Sequence, residues 1–330
     1  MKIIMFGTKP IEKSYAEAWE KKTGNEVKMV ADLLNDDTVD MAKGFDGVIT
    51  QQTQSLGSAD VYKKLASFGI KQIGLRTAGF DMVDLDAAKA NNITITRVSI
   101  YSPRAIAEMG VTQAMYLNRK IGLFNQRMEE DHDFSWAPDL VSNEIFNLTV
   151  GIIGLGHIGG ATAQIYKALG AKVIAYDPFY DPEQEAFVDY TDLDTVLKES
   201  DIISLHTPLF PSTKNIINAD ALKKMKNSAY LINMARGGLV DTQALIKALQ
   251  DGEIAGAGLD TLADETTYFG KKVSADEVPE DYKTLAAMPN VVVTPHVAFF
   301  TKTSVRNMVE IALNDTVTII NGGKTRNAIR

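Results

Sequence analysis

Four histidines and no cysteine set the acid–base inventory of this 330-residue chain. Imidazole is the side chain that gives and takes a proton near neutral pH. His132 lies in the polar run EEDHDF and reads as solvated. His157 lies inside a glycine turn. His206 follows an apolar run and makes a turn with Thr207 and Pro208. Both read as lying against a bound ligand. His296, after PNVVVTP, remains as the candidate proton donor, although a histidine that closes a strand also suits a structural role. An imidazolium needs a carboxylate to hold its tautomer and stabilise its charge. Glu265 in ADET is the candidate, with Asp264 beside it and Asp260 upstream; the same acidic run would also suit a solvated loop. Arg236, among the small residues of MARGG, can bring a planar fork of donors to a carboxylate and a neighbouring carbonyl. Taken alone it would read as a surface arginine. Together these groups could reduce a 2-keto acid if a hydride came from elsewhere.

A carrier for that hydride is suggested by Asn147 to Asp177. Leu148 to Ile153 reads as a buried strand, followed by Gly154-Leu155-Gly156-His157-Ile158-Gly159. Ile158, Ala161, Ile165, Ala168 and Leu169 fall on one face of a helix that Gly170 stops. Lys172 to Tyr176 is a second strand, and Asp177 closes it, 23 residues after Gly154. Strand, glycine turn, helix, strand and acid in this order make a dinucleotide-binding unit. Gly154 permits the tight turn, Gly156 lets the backbone approach a pyrophosphate, and Gly159 lets the helix pack close to the strand. The pyrophosphate would rest on the N–H groups of the helix start. A carboxylate at Asp177 suits a ribose 2′-OH and repels a 2′-phosphate, which selects NAD(H) over NADP(H). A glycine turn alone is a weak sign; its flanks make it specific. The expected cofactor contacts are Gly154, Gly156, His157, Ile158, Gly159 and Asp177, then His206, Thr207, Pro208, Thr213, Met234, Ala235, Arg236 and Asp260.

The elements that would position these residues follow from the rest of the chain. Apolar residues make up 45% and charged residues 23%, the balance of a soluble protein with a sizeable core, and the length suits two domains. A net charge of −8 argues against nucleic acid or an anionic membrane as partner. The absence of cysteine removes disulfides and thiolate chemistry, and no paired histidine–carboxylate spacing suits a metal. No apolar run approaches a bilayer span, and MKIIMFG is too short for a signal peptide, so the expected location is cytoplasmic. Short apolar runs at Lys2–Phe6, Glu26–Val30, Gly47–Thr50, Gln72–Leu75 and Ile93–Thr96 alternate with helical stretches at Ile11–Lys22, Thr38–Ala42, Ala59–Phe68 and Leu85–Ala90. Ser102-Pro103 opens a long helix to Asn118, and Ile121–Asp131 forms another. Phe134, Trp136 and Pro138 form an aromatic loop. After Asp177 come helix Leu193–Lys198, strand Asp201–Leu205, a helix capped by Asn218, strand Tyr230–Ile232, a helix capped by Asp241, strands Ile254–Leu259 and Val291–Thr294, and an amphipathic helix Thr303–Ile320. This alternation predicts parallel sheets with helices on both faces. Ligands of such sheets bind outside the carboxyl ends of the strands, where His206, Arg236, Asp260, Glu265 and His296 fall.

The ordered set GLGHIG with Asp177, SLHTP, INMARGGLVDT, GLDTLADET and PNVVVTPHVAFFT, with KGFDGV, LRTAGFD and YSPRAIAE before it, resembles the D-isomer-specific 2-hydroxyacid dehydrogenases. It is most similar to the lactic-acid-bacterial type, which includes D-lactate and D-2-hydroxyisocaproate dehydrogenases. The likeness covers the whole chain. It implies two doubly wound parallel-sheet domains, a flavodoxin-like substrate domain (residues 1–100 and 300–330) and an inserted Rossmann NAD-binding domain (residues 101–299). It implies Arg236 as binder of substrate carboxylate and carbonyl, Glu265 as partner of the histidine, and His296 as acid/base. It also implies that N–H groups around Ala78 and Gly79, with the Tyr101 hydroxyl, grip the substrate carboxylate, and that the protein is a homodimer. The expected reaction is reversible reduction of pyruvate or a related 2-keto acid by NADH. Two other readings are a preference for bulkier acids such as 2-ketoisocaproate or phenylpyruvate, and an NAD-sensing protein without catalysis. The chain departs from the family pattern at Leu262-Ala263, Thr50–Thr53, Phe300 and Ser135, which bears on substrate identity.

Overall fold

The computed structural model describes residues 1–329 and divides into two compact units, Met1–Ser102 with Phe300–Arg330, and Pro103–Phe299. The first unit runs β1 (Lys2–Phe6), α1 (Lys13–Thr23), β2 (Glu26–Met29), β3 (Gly47–Thr50), α2 (Ala59–Ser67), β4 (Gln72–Leu75), α3 (Leu85–Ala90) and β5 (Thr94–Arg97). Its strands pair in the order β2-β1-β3-β4-β5, all parallel. Every residue of β3 and β4 is buried, which is why they read as unbroken apolar runs and not as alternating ones. Ser58 and Asp84 cap α2 and α3 by accepting from Asp60 N and Ala87 N. The helix expected at Thr38–Ala42 is a short 3₁₀ turn, Val39–Ala42. Asn35 Oδ1 accepts from the N–H groups of Asp37 and Thr38, and the Thr38 hydroxyl donates to Leu33 O; these local bonds compete with an α-helical start.

The second unit runs α4 (Pro103–Asn118), α5 (Ile121–Glu130), β6 (Thr149–Ile153), α6 (His157–Ala168), β7 (Lys172–Tyr176), β8 (Asp189–Tyr190), α7 (Leu193–Glu199), β9 (Ile202–Leu205), α8 (Ala219–Lys224), β10 (Tyr230–Asn233), α9 (Thr242–Gln250), β11 (Gly256–Leu259), α10 (Glu280–Ala286) and β12 (Val291–Val293). The sheet order is β12-β11-β10-β9-β6-β7-β8, again all parallel. The winding reverses between β6 and β9, which places the topological switch point at their carboxyl ends. Both units are therefore the doubly wound α/β sheets expected, the second with the Rossmann order. Two elements had no sequence signal. β8 is only two residues long, and α10 buries only Leu285. Asn218 and Asp241 cap α8 and α9 as expected.

The last helix, α11 (Lys302–Ile320), belongs to the first unit and packs on β3, β4 and β5. After it the chain lies along β5: Thr96 and Ala328 form an antiparallel bridge, Arg97 N donates to Asn327 O at 3.0 Å, and Ile329 N donates to Ile95 O at 2.9 Å. Among the described residues no helix is long and apolar enough to cross a membrane.

Candidate active site

In the second unit, the glycine turn leaves β6 with Gly154 at φ +94°, and a Cβ there would stand 2.7 Å from Thr207 N. A Cβ on Gly159 would stand 1.9 Å from Gly154 O, so α6 lies against the turn with no room for a side chain. Gly156 is different. It is exposed, it is the N-cap of α6 without a side-chain cap, and a Cβ on it would meet nothing within 4 Å. The open space beside Gly156 and the uncapped helix start are a cradle for a phosphate group. Asp177 ends β7 next to this turn. Its Oδ2 accepts from Leu155 N at 2.6 Å and its Oδ1 from Phe179 N at 2.8 Å, so the acid also fixes the turn. His157 and Ile158 begin α6. These residues fit a dinucleotide.

His206, at the end of β9, has Nε2 2.9 Å from Ser204 Oγ, and its buried Nδ1 has no partner. Burial pulls its pKa down to about 3, so the ring is neutral at physiological pH and unsuited to give a proton. Thr207 and Pro208 follow it into a turn that Thr213 closes, its hydroxyl donating to Pro208 O and accepting from Phe210 N, both at 2.8 Å.

β10 delivers Arg236. Both ends of the buried Asn233 amide bracket the turn: Oδ1 accepts from Ala235 N at 3.0 Å and Nδ2 donates to Arg236 O at 2.9 Å. The half-buried Arg236 donates through Nη1 to Ala235 O. Met234 is turned inward, its Cγ lying 3.0 Å from where a Cβ on Gly110 of α4 would sit. What Met234 presents at the sheet edge is therefore main chain. Gly237 presses on the next loop, since a Cβ there would lie 2.0 Å from Leu262 C, 2.2 Å from Leu262 O and 2.3 Å from Ala263 N.

That next loop, after β11, carries the acid. Glu265 Oε2 accepts from Leu262 N at 2.8 Å, and Oε1 lies 2.5 Å from His296 Nδ1. Asp264 is exposed and in the left-handed region, φ 57°, and makes no ion pair among the described residues. The structure thus pairs His296 with Glu265 and leaves Asp264 aside. With Nδ1 bonded to a carboxylate, His296 presents Nε2 as its free nitrogen, on a side chain 40% exposed beside a 15% exposed Glu265.

Asp260 is 1% exposed and spends its carboxylate on the loop that carries His296. Oδ1 accepts from Val297 N at 2.9 Å and from the Thr294 hydroxyl at 2.5 Å, while Oδ2 accepts from Ala298 N at 2.9 Å. Its main-chain O accepts from His296 N at 2.8 Å. Burial pushes the Asp260 carboxyl up against these bonds, which pull it down. Gln113 of α4 extends the set by donating to Thr294 Oγ1 at 2.9 Å. Asn233, Gly237, Thr294 and Gln113 were not singled out from the sequence. The only sign of the first two was their place beside Arg236, and Gln113 showed only as a position on the inner face of the long helix.

The first unit holds the remaining expected residues. After β4, Thr77 to Phe80 form a turn in which the N–H groups of Ala78, Gly79 and Phe80 donate to no acceptor among the described residues. Amides free in this way can donate to an anion. Tyr101 lies further on, its carbonyl accepting from Asn307 Nδ2 at 2.6 Å.

Residues 111–298 match the family model described as "D-isomer specific 2-hydroxyacid dehydrogenase, NAD binding domain". The D-lactate dehydrogenase of Lactiplantibacillus plantarum is 42% identical, with 100% of this chain and 99% of that one aligned. Among solved structures, the D-isomer specific 2-hydroxyacid dehydrogenase of Lactobacillus delbrueckii ssp. bulgaricus in its NAD-complexed form is 59% identical, with TM-score 0.96 and 100% of both chains covered. The D-lactate dehydrogenase of Lactobacillus jensenii with NAD+ is 55% identical, also with TM-score 0.96 and full coverage of both.

Proposed function

The chain belongs to the D-isomer-specific 2-hydroxyacid dehydrogenase family and is an NAD-dependent oxidoreductase, and from that premise we propose that it interconverts pyruvate and D-lactate, with the two units as substrate domain and NAD-binding domain. The observation that carries the chemistry is the His296–Glu265 pair at 2.5 Å on the carboxyl edge of the sheet that bears the glycine turn. Bound NADH supplies a hydride for the substrate C2. His296, held through Nδ1 by Glu265, gives a proton from Nε2 to the carbonyl oxygen as it becomes an alcohol. Arg236 supplies the planar fork that orients the carboxylate and polarises the carbonyl. The free amides at Ala78 and Gly79, with Tyr101, hold the carboxylate. Gly154, Gly156, His157, Ile158 and Gly159 cradle the pyrophosphate, Asp177 takes the ribose, and the turns at His206–Thr213 and Met234–Ala235, with Asp260, line the rest of the cofactor. The presence of Arg236, Glu265 and His296 together favours catalysis over NAD sensing.

The protein acts in the cytoplasm as a homodimer. Phe134, Trp136, Val141 and Phe146, at 74%, 98%, 75% and 57% exposure, lie in the segment between α5 and β6 and offer apolar surface that a second copy would cover. NADH oxidation followed at 340 nm (the reduced nicotinamide band) with pyruvate, 2-ketoisocaproate and phenylpyruvate tests the substrate. Pyruvate is expected to give the highest kcat/KM; a bulkier acid in first place overturns that assignment. His296→Gln should abolish turnover while NADH still binds, and retained turnover ends the proposed role of His296.

A further inference from the structure

The free amides of the first unit are shaped by one cation. Arg97, the last residue of β5, donates from Nη1 to Ala78 O at 3.0 Å, and its guanidinium carbon lies 5.0 Å from the centroid of the Phe80 ring. The turn is closed on its other side by Val98 N donating to Thr77 O at 3.0 Å and by the Thr77 hydroxyl donating to Gly79 O at 2.7 Å. Arg97 is itself held from behind. Its backbone N–H donates to Asn327 O at 3.0 Å. Asn327 Nδ2 donates to Asp315 Oδ2 at 2.8 Å, its Oδ1 accepts from Ser99 Oγ at 3.1 Å, and Thr325 donates to Asp315 Oδ1 at 2.6 Å. Asp315 sits on α11 and is 8% exposed.

We propose that Arg97 is a positioning residue for the substrate carboxylate, and that the C-terminal strap around Asn327 keeps it in place. Ala78 C=O and Gly79 N–H belong to one peptide group. A cation bonded to the oxygen draws electron density along the amide, so Gly79 N–H becomes a stronger donor to an anion. The same bond fixes the direction of that N–H, and Phe80 limits the guanidinium to one plane. Arg97 therefore acts through the peptide and touches no reacting atom. This rests on the reading of Ala78 and Gly79 given under Proposed function.

The test uses the full chain and four measurements: KM for pyruvate, the inhibition constant of oxamate (an unreactive carboxylate of pyruvate shape), kcat, and NADH affinity by nicotinamide fluorescence. Arg97→Ala should raise the pyruvate KM and the oxamate constant about 10-fold, with NADH affinity unchanged and kcat within about threefold. Arg97→Lys, which keeps a charge without the plane, should fall between. Asn327→Ala should raise both constants about threefold by loosening the strap, and it carries the test if Arg97→Ala does not fold. Wild-type KM and oxamate values in these variants overturn the proposal. So does a common loss in kcat, KM and NADH affinity, which would mark Arg97 as merely structural. A wild-type protein that reduces no 2-keto acid would instead defeat the functional reading itself.

Discussion

Gly237→Ala should disable the enzyme without touching a reacting group. The added Cβ would lie 2.0 Å from Leu262 C, and tolerable contact begins at 3.4 Å, so the peptide of Leu262 and Ala263 must retreat by about 1.4 Å. It is backbone and cannot swing aside as a side-chain end would. Leu262 N is the donor that fixes Glu265 Oε2, and Glu265 Oε1 holds His296. A shift of this size breaks one of these two bonds. Misplacement by about 1 Å costs a reaction on the order of 100-fold, while overpacking of this kind destabilises by about 1–3 kcal/mol. The expected result is a fall in kcat of about 100-fold with NADH affinity near the wild-type value, because the glycine turn on β6 is not involved. Steady-state NADH oxidation gives kcat, nicotinamide fluorescence gives the affinity, and thermal melting shows that the chain is folded. A folded Gly237→Ala protein with wild-type kcat would refute the claim that this contact sets the position of Glu265.

The half-buried His206 ring, with its enclosed Nδ1 lacking a partner, makes stability pH-dependent. Its folded pKa is depressed to about 3 from 6.5, so the unfolded chain binds the extra proton below pH 6.5, and stability present at neutral pH is lost as pH falls. At pH 5 this amounts to about 2 kcal/mol, and His206→Gln should lose correspondingly less between pH 7 and pH 5 in urea titrations; equal losses would count against it. Asp177→Ala removes the acceptor of Leu155 N and should weaken NADH binding by about 10- to 100-fold while narrowing the preference over NADPH; unchanged titrations with both cofactors would refute this. Glu12→Gln leaves the Arg76 guanidinium, 0% exposed, without the carboxylate 2.8 Å away, and should destabilise the first unit by about 3–5 kcal/mol. The fluorescence of Trp19, buried in that unit, reports its unfolding, and an unshifted urea midpoint would contradict the expected loss.

What was legible in the sequence was what a few neighbouring residues decide. Gly154, Gly156 and Gly159 recur at a fixed spacing within one turn, and Asp177 follows the adjacent strand, so spacing alone pointed to them. The strands were legible because parallel strands covered on both faces need unbroken apolar runs. The candidate proton donors were few because few side chains can move a proton near pH 7, and the chain has only four histidines. The supports of those groups were not. Asp260 holds Val297 and Ala298 across 37 and 38 positions, and Gln113 reaches Thr294 across 181. Such contacts leave no periodicity to read. Asp260 could be placed at a strand end from sequence, but the loop its carboxylate holds could not.

The backbone at the His296–Glu265 pair shows why those unread supports matter. His296 has φ 54° and Asp264, next to Glu265, has φ 57°, both in the left-handed region that non-glycine side chains avoid. Each costs on the order of 1 kcal/mol, and at these two positions neighbouring bonds hold it. Around His296 these are the three bonds that Asp260 carboxylate oxygens accept and the one its carbonyl accepts. Around Asp264 they are the Leu262 N–H on Glu265 and the Gly237 contact. A relaxed backbone at either position would turn imidazole and carboxylate apart, and neither group alone is a proton donor with a fixed tautomer. The 2.5 Å contact between them is thus maintained by the Asp260 carboxylate, the Leu262 N–H and the Gly237 contact. Substitution of Gly237 should lower kcat and leave NADH binding intact, whereas substitution in the glycine turn after β6 should do the reverse.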